Sequence, residues 1–419
     1  MSSARGMRDF VPHEKARREH LLGVIRDTYL RHGFEEIETP AIEDRASLHS
    51  GLGGDNEKLS FSILKRGVEV EDFRHATSIE DLSDLGLRFD LTVPLARFYA
   101  THHAQLPSVF RSFHTGPVWR AERPQKGRYR QFVQCDIDIL GESGSLAEVE
   151  VLLATANALE RVGASGFRFR VNDRRLLTEL LNSAGVAEAD HPAALIVVDK
   201  LDKIGVEEVL AELEQKLGSG CDVGVMAKTL ERSELPLEAD LIATAMGGSP
   251  RALEVATELV QWAQQVAGVL GDQVVVVDLT LVRGMGYYTG PIVEISHPDF
   301  GTSIGGGGRY DGMIGRFLGT EVPAFGVSLG FERLVEILPD AGVTHPDRVA
   351  LVWDEGVASD HLLNLKVHLV DTGHTVRLVK KTRNMKPAFE RLVADGFQKV
   401  AEVTAETADS SALVWRELG

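Results

Sequence analysis

The sequence predicts an α+β protein with a larger part built on an antiparallel sheet and a smaller α/β domain. Strand-like segments 109–113, 117–123 and 131–140 follow one another with short turns, which indicates an antiparallel sheet rather than a series of βαβ units. Residues 187–270 are rich in Ala, Leu and Glu and predict an inserted helical module. Strands and helices alternate within residues 347–419, which predicts the smaller domain.

Hydrophobic periodicity predicts the other elements of the larger part, residues 1–338. Helices are expected at 13–32, 95–103, 146–163, 176–185 and from 331 onward. Further strands are expected at 34–39, 87–94, 167–171, 274–282, 290–296, 302–305 and 324–327. Residues 51–85 are polar and acidic, and we expect them to form a surface loop or lid.

The segment 339–346 contains Pro and Gly and is expected to be a linker. Beyond it, strands are predicted at 349–352, 375–379, 399–403 and 412–418, and helices at 359–371 and 385–395. Because the last predicted strand runs to the end of the chain, the small domain is expected to lack a final helix.

Composition and charge limit the class of protein. The chain has 419 residues and a net charge of −17, which argues against indiscriminate coating of nucleic acid but leaves room for a specific RNA partner at a local basic patch. No apolar run is long enough to predict a membrane span. The N-terminus lacks the apolar segment of a secretory signal, and the two cysteines do not form a metal or disulfide pattern. We therefore expect a cytoplasmic location.

A basic segment at 119–130 is the first candidate site, with four arginines and one lysine in twelve residues. Arginine binds phosphate through two parallel hydrogen bonds. On a strand, Arg120 and Glu122 would share one face and offer a cation and an acceptor to a nucleotide. The alternative interpretation is a basic hairpin that faces solvent.

Three further clusters suggest ligand contacts. Arg283 ends an apolar strand and is followed by glycines and paired tyrosines, although a plain strand end is the alternative. Arg333 follows a strand and begins a helix, where an ordinary exposed arginine is the alternative. A run of glycines would let a ligand approach the backbone closely, or would form a flexible loop. These glycines are Gly305, Gly306, Gly307 and Gly308.

Together, these segments resemble the class II aminoacyl-tRNA synthetases, and specifically the histidyl-tRNA synthetase family. Residues 33–40 look like motif 1 at the dimer interface, 119–131 like motif 2, and 330–333 like motif 3. Residues 281–290 and 305–312 resemble the two histidine-specific signatures, which are far more specific than the three motifs. The similarity extends from about residue 5 to residue 338.

The resemblance implies a class II catalytic domain with a helical insertion that touches the tRNA acceptor arm, and a small domain that reads the anticodon. It implies histidine, ATP with bound Mg²⁺, and tRNA(His) as partners of a homodimer. It does not indicate whether the protein itself ligates a metal. A basic run in the small domain is consistent with RNA contact, although a solvated charged face is the alternative. This run comprises Arg377, Lys380, Lys381, Arg383, Lys386 and Arg391.

The resemblance also implies roles for residues that would bind ATP. Arg120 would hold the α-phosphate and the carboxylate of histidine, and Arg283 would stabilise the α-phosphate in the transition state. Arg333 would hold the γ-phosphate. Glu122 would contact adenine, and Arg128 would reach a phosphate from the motif 2 loop.

The amino acid would have a separate group of contacts. Four residues match the amino-group pocket of the family: Asp90, Thr92, Gln134 and Asp138. Tyr288 and Tyr310 match residues around the imidazole. Alternation along strands is expected to place Asp90 with Thr92 on a common face, and likewise Gln134, position 136 and Asp138.

Two departures from the family pattern leave alternatives open. Gly286 stands where the signature commonly has an acidic residue, and the small domain is short. One rival is a histidine-sensing regulatory paralogue of ATP phosphoribosyltransferase, which typically loses the ATP-binding arginines. Another is an enzyme that passes activated histidine to an acceptor other than tRNA.

Overall fold

The computed structural model describes residues 3–49, 59–125, 127–232, 234–283, 288–339 and 347–418. The chain divides into two units. The first comprises Met1–Arg8 and Gly23–Leu338, and the second comprises Asp9–Leu22 and Pro339–Gly419.

The first unit is built on a large sheet. The strands before residue 338 are β1 (Glu35–Ile37), β2 (Ile42–Asp44), β3 (Phe61–Leu64), β4 (Ser83–Leu87), β5 (Phe110–Trp119), β6 (Gln131–Leu140), β7 (Arg168–Asp173), β8 (Glu234–Leu235), β9 (Val275–Asp278), β10 (Pro291–His297), β11 (Phe300–Arg309) and β12 (Ala324–Gly330). Within the described ranges, nine of them form one sheet in the order β1-β5-β6-β12-β11-β10-β7-β9-β8. The pairs from β5 to β7 are all antiparallel, while β1 pairs with β5 and β7 with β9 in parallel. The predicted mixed fold with a largely antiparallel sheet is therefore confirmed.

Helices account for much of the remaining chain. Those before residue 338 are α1 (Pro12–Arg31), α2 (Arg45–Leu48), α3 (Val70–His75), α4 (Ile79–Leu82), α5 (Thr92–His102), α6 (Leu146–Arg161), α7 (Arg174–Ser183), α8 (His191–Val198), α9 (Leu201–Ile204), α10 (Val206–Leu217), α11 (Val223–Leu230), α12 (Ala239–Ala245), α13 (Pro250–Leu270), α14 (Asp311–Leu318) and α15 (Phe331–Ile337). Helices α8 to α13 lie in the segment predicted to be a helical insertion.

The two faces of the sheet differ in polarity, as β6 shows. Alternate residues of a strand point to opposite faces. One set on β6 is apolar and fully buried: Cys135, Ile137 and Ile139. Helix α6 packs against β6 and β12, and α13 packs against α6. The other set is polar: Gln134, Asp136 and Asp138. One face therefore forms the core, and the opposite face carries polar groups.

The prediction of a loop at 51–85 was wrong for the residues that the structure describes; residues 51–58 lie outside them. From residue 59 onward, the segment contains β3, α3, α4 and most of β4, and the strands form a small sheet in the order β2-β4-β3. Its acidic side chains stabilise helix starts. The Asp81 carboxylate, for example, accepts hydrogen bonds from the backbone N–H groups of Thr77 and Ser78 at 2.8 and 3.1 Å.

Two predicted strands were also wrong. Residues 87–94 do not form a strand, because β4 ends at Leu87 and α5 begins at Thr92. The Asp90 carboxylate accepts a hydrogen bond from the Val93 backbone N–H at 3.2 Å, which supports the start of this helix. The segments 109–113 and 117–123 belong to the single strand β5, which ends at Trp119. Arg120 and Glu122 therefore do not share a strand face.

The second unit contains a separate small sheet. Its strands are β13 (Arg348–Trp353), β14 (Thr375–Lys380), β15 (Lys399–Val403) and β16 (Trp415–Glu417), in the order β14-β13-β15-β16, and its helices after residue 338 are α16 (Ser359–Asp371) and α17 (Lys386–Ala394). Leu351 of β13 packs in a core with Leu365 of α16. Its neighbour Val352 packs in another core with Leu392 of α17. The two helices therefore cover opposite faces of the sheet.

Short 3₁₀ segments lie at His103–Gln105, Glu188–Asp190, Gly218–Gly220 and Ser410–Ala412. The expected linker at 339–346 lies outside the described residues, apart from Pro339. Across the described part of the chain, every helix is too short or too polar to cross a bilayer.

The glycine run lies within a central strand and is not a loop. Glycines have low β-propensity, so the sequence understated this strand. The cause is close packing between strands. A Cβ added at Gly307 would lie 1.9 Å from the Gly326 carbonyl oxygen on the neighbouring β12. Only glycine fits at this position without displacing the backbone.

We predict that Gly307→Ala lowers the free energy of unfolding by more than about 2 kcal/mol, because the added methyl group forces β11 and β12 apart. Gly301→Ala is the matched control in the same strand, since no heavy atom lies within 4 Å of its added Cβ. Urea unfolding of both variants measures the difference. Equal stability of the two variants would contradict this account.

Candidate active site

A cavity of about 550 Å³ opens over the polar face of the large sheet. Its floor is formed by β6, β12, β11 and β10. Its walls come from the start of α5, the hairpin between β5 and β6, and the start of α15. A concave site with converging polar groups is the usual setting for ligand binding.

Every predicted side chain with a binding role lines this one cavity. They are Asp90, Thr92, Arg120, Glu122, Arg128, Gln134, Asp138, Arg283, Tyr288, Tyr310 and Arg333. Of the predicted glycines, Gly305, Gly306 and Gly307 also line it. Gly308 is not part of the lining but gives room to Tyr288, whose ring would lie 3.0 Å from an added Cβ.

Bare backbone on the floor makes space for two charged side chains. A Cβ added at Gly306 would lie 2.1 Å from Arg283 Nη1. A Cβ added at Gly326 would lie 1.7 Å from Asp138 Oδ1. The glycines thus allow a guanidinium and a carboxylate to lie directly against the sheet.

Four arginines converge on the cavity: Arg120, Arg128, Arg283 and Arg333. The pKa of the Arg333 guanidinium is lowered, first by its burial and then by the positive charges of Arg128, Arg283 and Arg120. Like charges held this close repel one another, so the cluster favours a polyanionic ligand that would neutralise them.

Backbone carbonyls orient two of these arginines. Arg120 Nε donates to the Phe89 carbonyl oxygen at 2.8 Å. Arg333 donates to the carbonyl oxygens of Ser303 and Gly127. Neutral acceptors fix each side chain without neutralising its charge, which remains available to a ligand.

Arg283 is oriented by a line of alternating charges. Its Nη1 atom lies 3.0 Å from the Glu294 carboxylate. The same carboxylate accepts from Arg170 Nη1 at 2.8 Å, and Arg170 Nε donates to the buried Asp278 at 2.6 Å. Glu294 thus shares its charge between two arginines, so Arg283 keeps part of its positive charge for a ligand.

Three buried aspartates can supply negative charge to the same cavity: Asp90, Asp136 and Asp138. Burial is the main cause that raises the pKa of each one. The pKa of Asp138 rises to about 7, although the Tyr310 hydroxyl donates to it at 2.6 Å. Negative charge from Asp138 raises the pKa of Asp136 further. A cationic ligand would relieve this repulsion.

Gln134 also presents an acceptor to the cavity. Its Nε2 atom donates to Ser328 Oγ at 2.8 Å. Its buried Oε1 atom has no hydrogen-bond partner within the described residues. A buried acceptor without a partner is costly, so this oxygen fits a ligand that donates N–H groups.

Sequence reasoning placed Asp136 on the face of Gln134 and Asp138 but assigned it no role, although it lines the cavity. It missed Asp199 and Glu294 of the same cavity. Asp199, which follows α8, reaches the cavity from the helical segment, and Glu294 belongs to β10; neither lies in a polar motif that marks it. Gly286 lies outside the described residues.

The described part of the chain contains no group of three or more His, Cys, Asp or Glu side chains arranged to hold a metal ion. Glu294 already pairs with two arginines, and Asp138 accepts a hydrogen bond from Tyr310. These described donors do not form a ligand group for a resident metal, and the positive charge of the cavity is supplied by its arginines.

The basic run of the second unit is paired with acids. Lys380 lies 2.7 Å from Glu355, and Lys381 lies 2.7 Å from Glu402. Three more of its cations pair with carboxylates: Arg377 and Arg391 with Asp395, and Lys386 with Glu390. Most of these side chains are exposed, so the pairs are weak and can exchange for other anions.

The family model described as histidyl-tRNA synthetase matches residues 6–334. The chain belongs to the histidyl-tRNA synthetase family. It is 53% identical to a histidine–tRNA ligase of Leifsonia xyli over 413 residues, which cover 96% of this chain and 95% of the relative. Full-length similarity of this kind extends beyond the cavity to the second unit.

Solved structures share the fold. A histidyl-tRNA synthetase from Nostoc sp. PCC 7120 superposes with a TM-score of 0.76 at 26% identity, covering 99% of this chain and 96% of that one. A Bacillus halodurans C protein described as an ATP phosphoribosyltransferase regulatory subunit/histidyl-tRNA synthetase also has a TM-score of 0.76, at 20% identity and covering 95% and 97%. At that identity the second likeness establishes the fold alone.

We predict that Asp138→Asn changes how stability depends on pH. Burial raises the pKa of Asp138 to about 7 in the folded protein, from the ordinary aspartate value of 3.8. The unfolded chain therefore binds fewer protons between these values, and stability falls as the pH rises. From pH 5 to pH 7, the wild type should lose roughly 2 kcal/mol relative to the variant.

Urea unfolding at pH 5, 6 and 7 measures this difference. The exposed Asp240→Asn variant is the matched control and should follow the wild type at each pH. A constant difference between wild type and Asp138→Asn would show that Asp138 is ionised throughout this range.

Proposed function

We propose that this chain is an ATP-dependent ligase that activates histidine to histidyl-adenylate and transfers it to the 3′ end of tRNA(His). One observation carries the proposal. Arg120 lines the same cavity as Asp90, Asp136 and Arg333, and its positive charge acts to lower the pKa of all three. It therefore joins the cation-binding and anion-binding parts of one cavity, where a cationic amino acid and a polyphosphate would meet.

The arginines would supply the chemistry of activation. A carboxylate oxygen of histidine attacks the α-phosphorus of ATP, a bond to that oxygen forms, and the bond to the leaving pyrophosphate breaks. Arg120 would hold the α-phosphate and the carboxylate, and Arg283 would stabilise the charge that develops on the α-phosphate. Arg333 would bind the γ-phosphate and Arg128 another phosphate, while Glu122 would contact adenine. Positioning and charge neutralisation are sufficient for such a displacement.

Mg²⁺ is expected to accompany ATP. The described carboxylates do not form a group that could hold the ion themselves. The phosphates of ATP themselves would hold the ion, and the arginines of the cavity would neutralise the remaining charge.

The carboxylates would select histidine. Its ammonium group would be bound by Asp90, Thr92, Gln134 and Asp138, and the Oε1 atom of Gln134, which has no partner within the described residues, suits an N–H donor. Tyr288 and Tyr310, whose hydroxyl donates to Asp138, would surround the imidazole. A site that hydrogen-bonds a substrate in this way rejects apolar analogues strongly, because its buried polar groups would lose their partners.

The tRNA would contact the other parts of the chain. We assign residues 1–338 to the catalytic domain, with 187–270 as an insertion that touches the acceptor arm. Residues 347–419, after the linker at 339–346, would read the anticodon. The exposed salt bridges of the basic run would open there, as phosphates replace the carboxylate partners.

We further propose a cytoplasmic homodimer. Edge strand β1, in the segment that resembles motif 1, supports this, because β1 pairs with β5 and lies at the end of the large sheet among the described residues. Ile42, which begins β2 shortly after β1 in the sequence, is 47% exposed. An open strand edge and an exposed apolar side chain both favour association.

We predict histidine-dependent exchange of pyrophosphate into ATP by the purified protein, and a loss of about 10²–10³-fold in Arg283→Ala, because a preorganised charge at the reacting phosphate is removed. Arg251→Ala is the matched control, since this exposed arginine of α13 pairs with Glu254 and lies outside the cavity. Absence of exchange in a folded wild type would refute the enzymatic proposal.

We predict that the protein also charges tRNA(His) with histidine. The variant Lys380→Ala/Lys381→Ala/Arg383→Ala should raise the KM for tRNA about tenfold, because phosphate contacts are lost. Its exchange rate without tRNA is the internal control and should not change. Exchange without any charging by the wild type would instead favour an acceptor other than tRNA.

A further inference from the structure

A short segment ahead of α1 lies against the ATP-binding part of the cavity. Resting on the proposed function, we propose that Arg8 is a positioning residue for ATP. It joins the hairpin that carries Arg128 to the helix α15 that carries Arg333, through contacts with Tyr129 and Glu332. The sequence patterns above assign no role to this residue.

The backbone of the segment is fixed to the hairpin. The Arg130 N–H donates to the Gly6 carbonyl oxygen at 2.8 Å. Gly6 has a φ of +82°, and a Cβ at this position would lie 2.7 Å from Pro124 Cγ and 2.9 Å from Arg130 Cγ. Glycine permits both the conformation and the close approach. These contacts fix the position of Arg8 beside the hairpin.

The Arg8 side chain contacts both elements that it joins. Its guanidinium carbon lies 3.5 Å from the centroid of the Tyr129 ring, a cation–π contact. The same guanidinium forms an ion pair with Glu332, whose side chain is only 5% exposed. A planar guanidinium can stack on a ring and bind a carboxylate at once, which a lysine ammonium cannot do equally well.

Further hydrogen bonds tie the hairpin and α15 to each other around Arg8. The Tyr129 hydroxyl donates to Glu336 at 2.9 Å. The Val133 N–H donates to Glu332 at 3.3 Å. Tyr129 and Glu332 both line the cavity, and each is the direct chain neighbour of an arginine assigned to phosphate. A shift of the ring or of the carboxylate would therefore displace Arg128 or Arg333.

The need for such a link follows from charge. Arg128 and Arg333 repel each other, which is one cause of the lowered pKa of Arg333. Before ATP binds, this repulsion pushes the hairpin and α15 apart. Arg8 opposes it, because its own charge is balanced by Glu332 while its ring contact holds Tyr129. ATP then meets two phosphate-binding arginines already at the correct separation, which lowers the cost of binding.

The test measures ATP binding by calorimetry and the KM values for ATP and histidine in the exchange reaction. The variants are Arg8→Ala, Arg8→Lys and the control Arg5→Ala, which changes an exposed arginine of the same segment. We expect Arg8→Ala to raise the Kd and KM for ATP about tenfold, with kcat and the KM for histidine within about twofold of the wild type. Arg8→Lys, which keeps the charge opposite Glu332, should show a smaller rise of about threefold. Arg5→Ala should match the wild type.

Several outcomes would overturn the inference. A merely structural role would lower the stability of Arg8→Ala in urea and leave the Kd for ATP unchanged. Equal losses for ATP and histidine would indicate general damage to the cavity. If Arg8→Ala does not fold, an unchanged Kd for ATP in folded Arg8→Lys is the refuting result. Lack of ATP binding by the wild type would refute the proposed function instead, so the two failures are distinguishable.

Discussion

The electrostatic repulsion within the cavity is the constraint on which the rest of the first unit depends. The negative charges of Asp90 and Asp138 raise the pKa of the buried Asp136, while the positive charges of Arg128, Arg283 and Arg120 lower the pKa of the partly buried Arg333. Charges in a low dielectric are costly without counter-charges. A rigid scaffold must therefore hold both groups ready for ligands that neutralise them.

The scaffold meets this requirement in different ways at different positions. Carbonyl groups orient Arg120 and Arg333 without removing their charge, and Glu294 is shared so that it only partly balances Arg283. The second unit contrasts with this arrangement, because exposed cations such as Lys380 and Lys381 have carboxylate neighbours and remain largely in solvent. The incompletely paired arginines of the cavity suit a small polyanion. The exposed, paired cations of the second unit suit a large, flexible polyanion, because exposed pairs are weak and can exchange partners.

Much of this organisation could be predicted from the sequence, and the failures have physical reasons. The alternation of polar residues on β6 correctly grouped Gln134 with Asp138, because a strand has a strict period of two. Arg120 and Glu122 reach the cavity for a different reason than predicted. Strand β5 ends before them, and the long-range hydrogen bond from Arg120 N–H to the Arg130 carbonyl shapes the hairpin. Local propensity cannot predict such a contact. It also cannot predict that Asp199, at the end of a helix distant in sequence, lines the same cavity.

The bare floor of the cavity has an evolutionary consequence. At Gly306, Gly307 and Gly326, even one methyl group would overlap a side chain or a backbone carbonyl. Selection therefore has almost no small steps available there, since every substitution enlarges the residue. Variation in substrate preference must instead arise in the hairpin, at the start of α5 or in the segment that carries Asp199. The residues of the floor cannot be enlarged without steric overlap, whereas the residues of the walls can change in sequence.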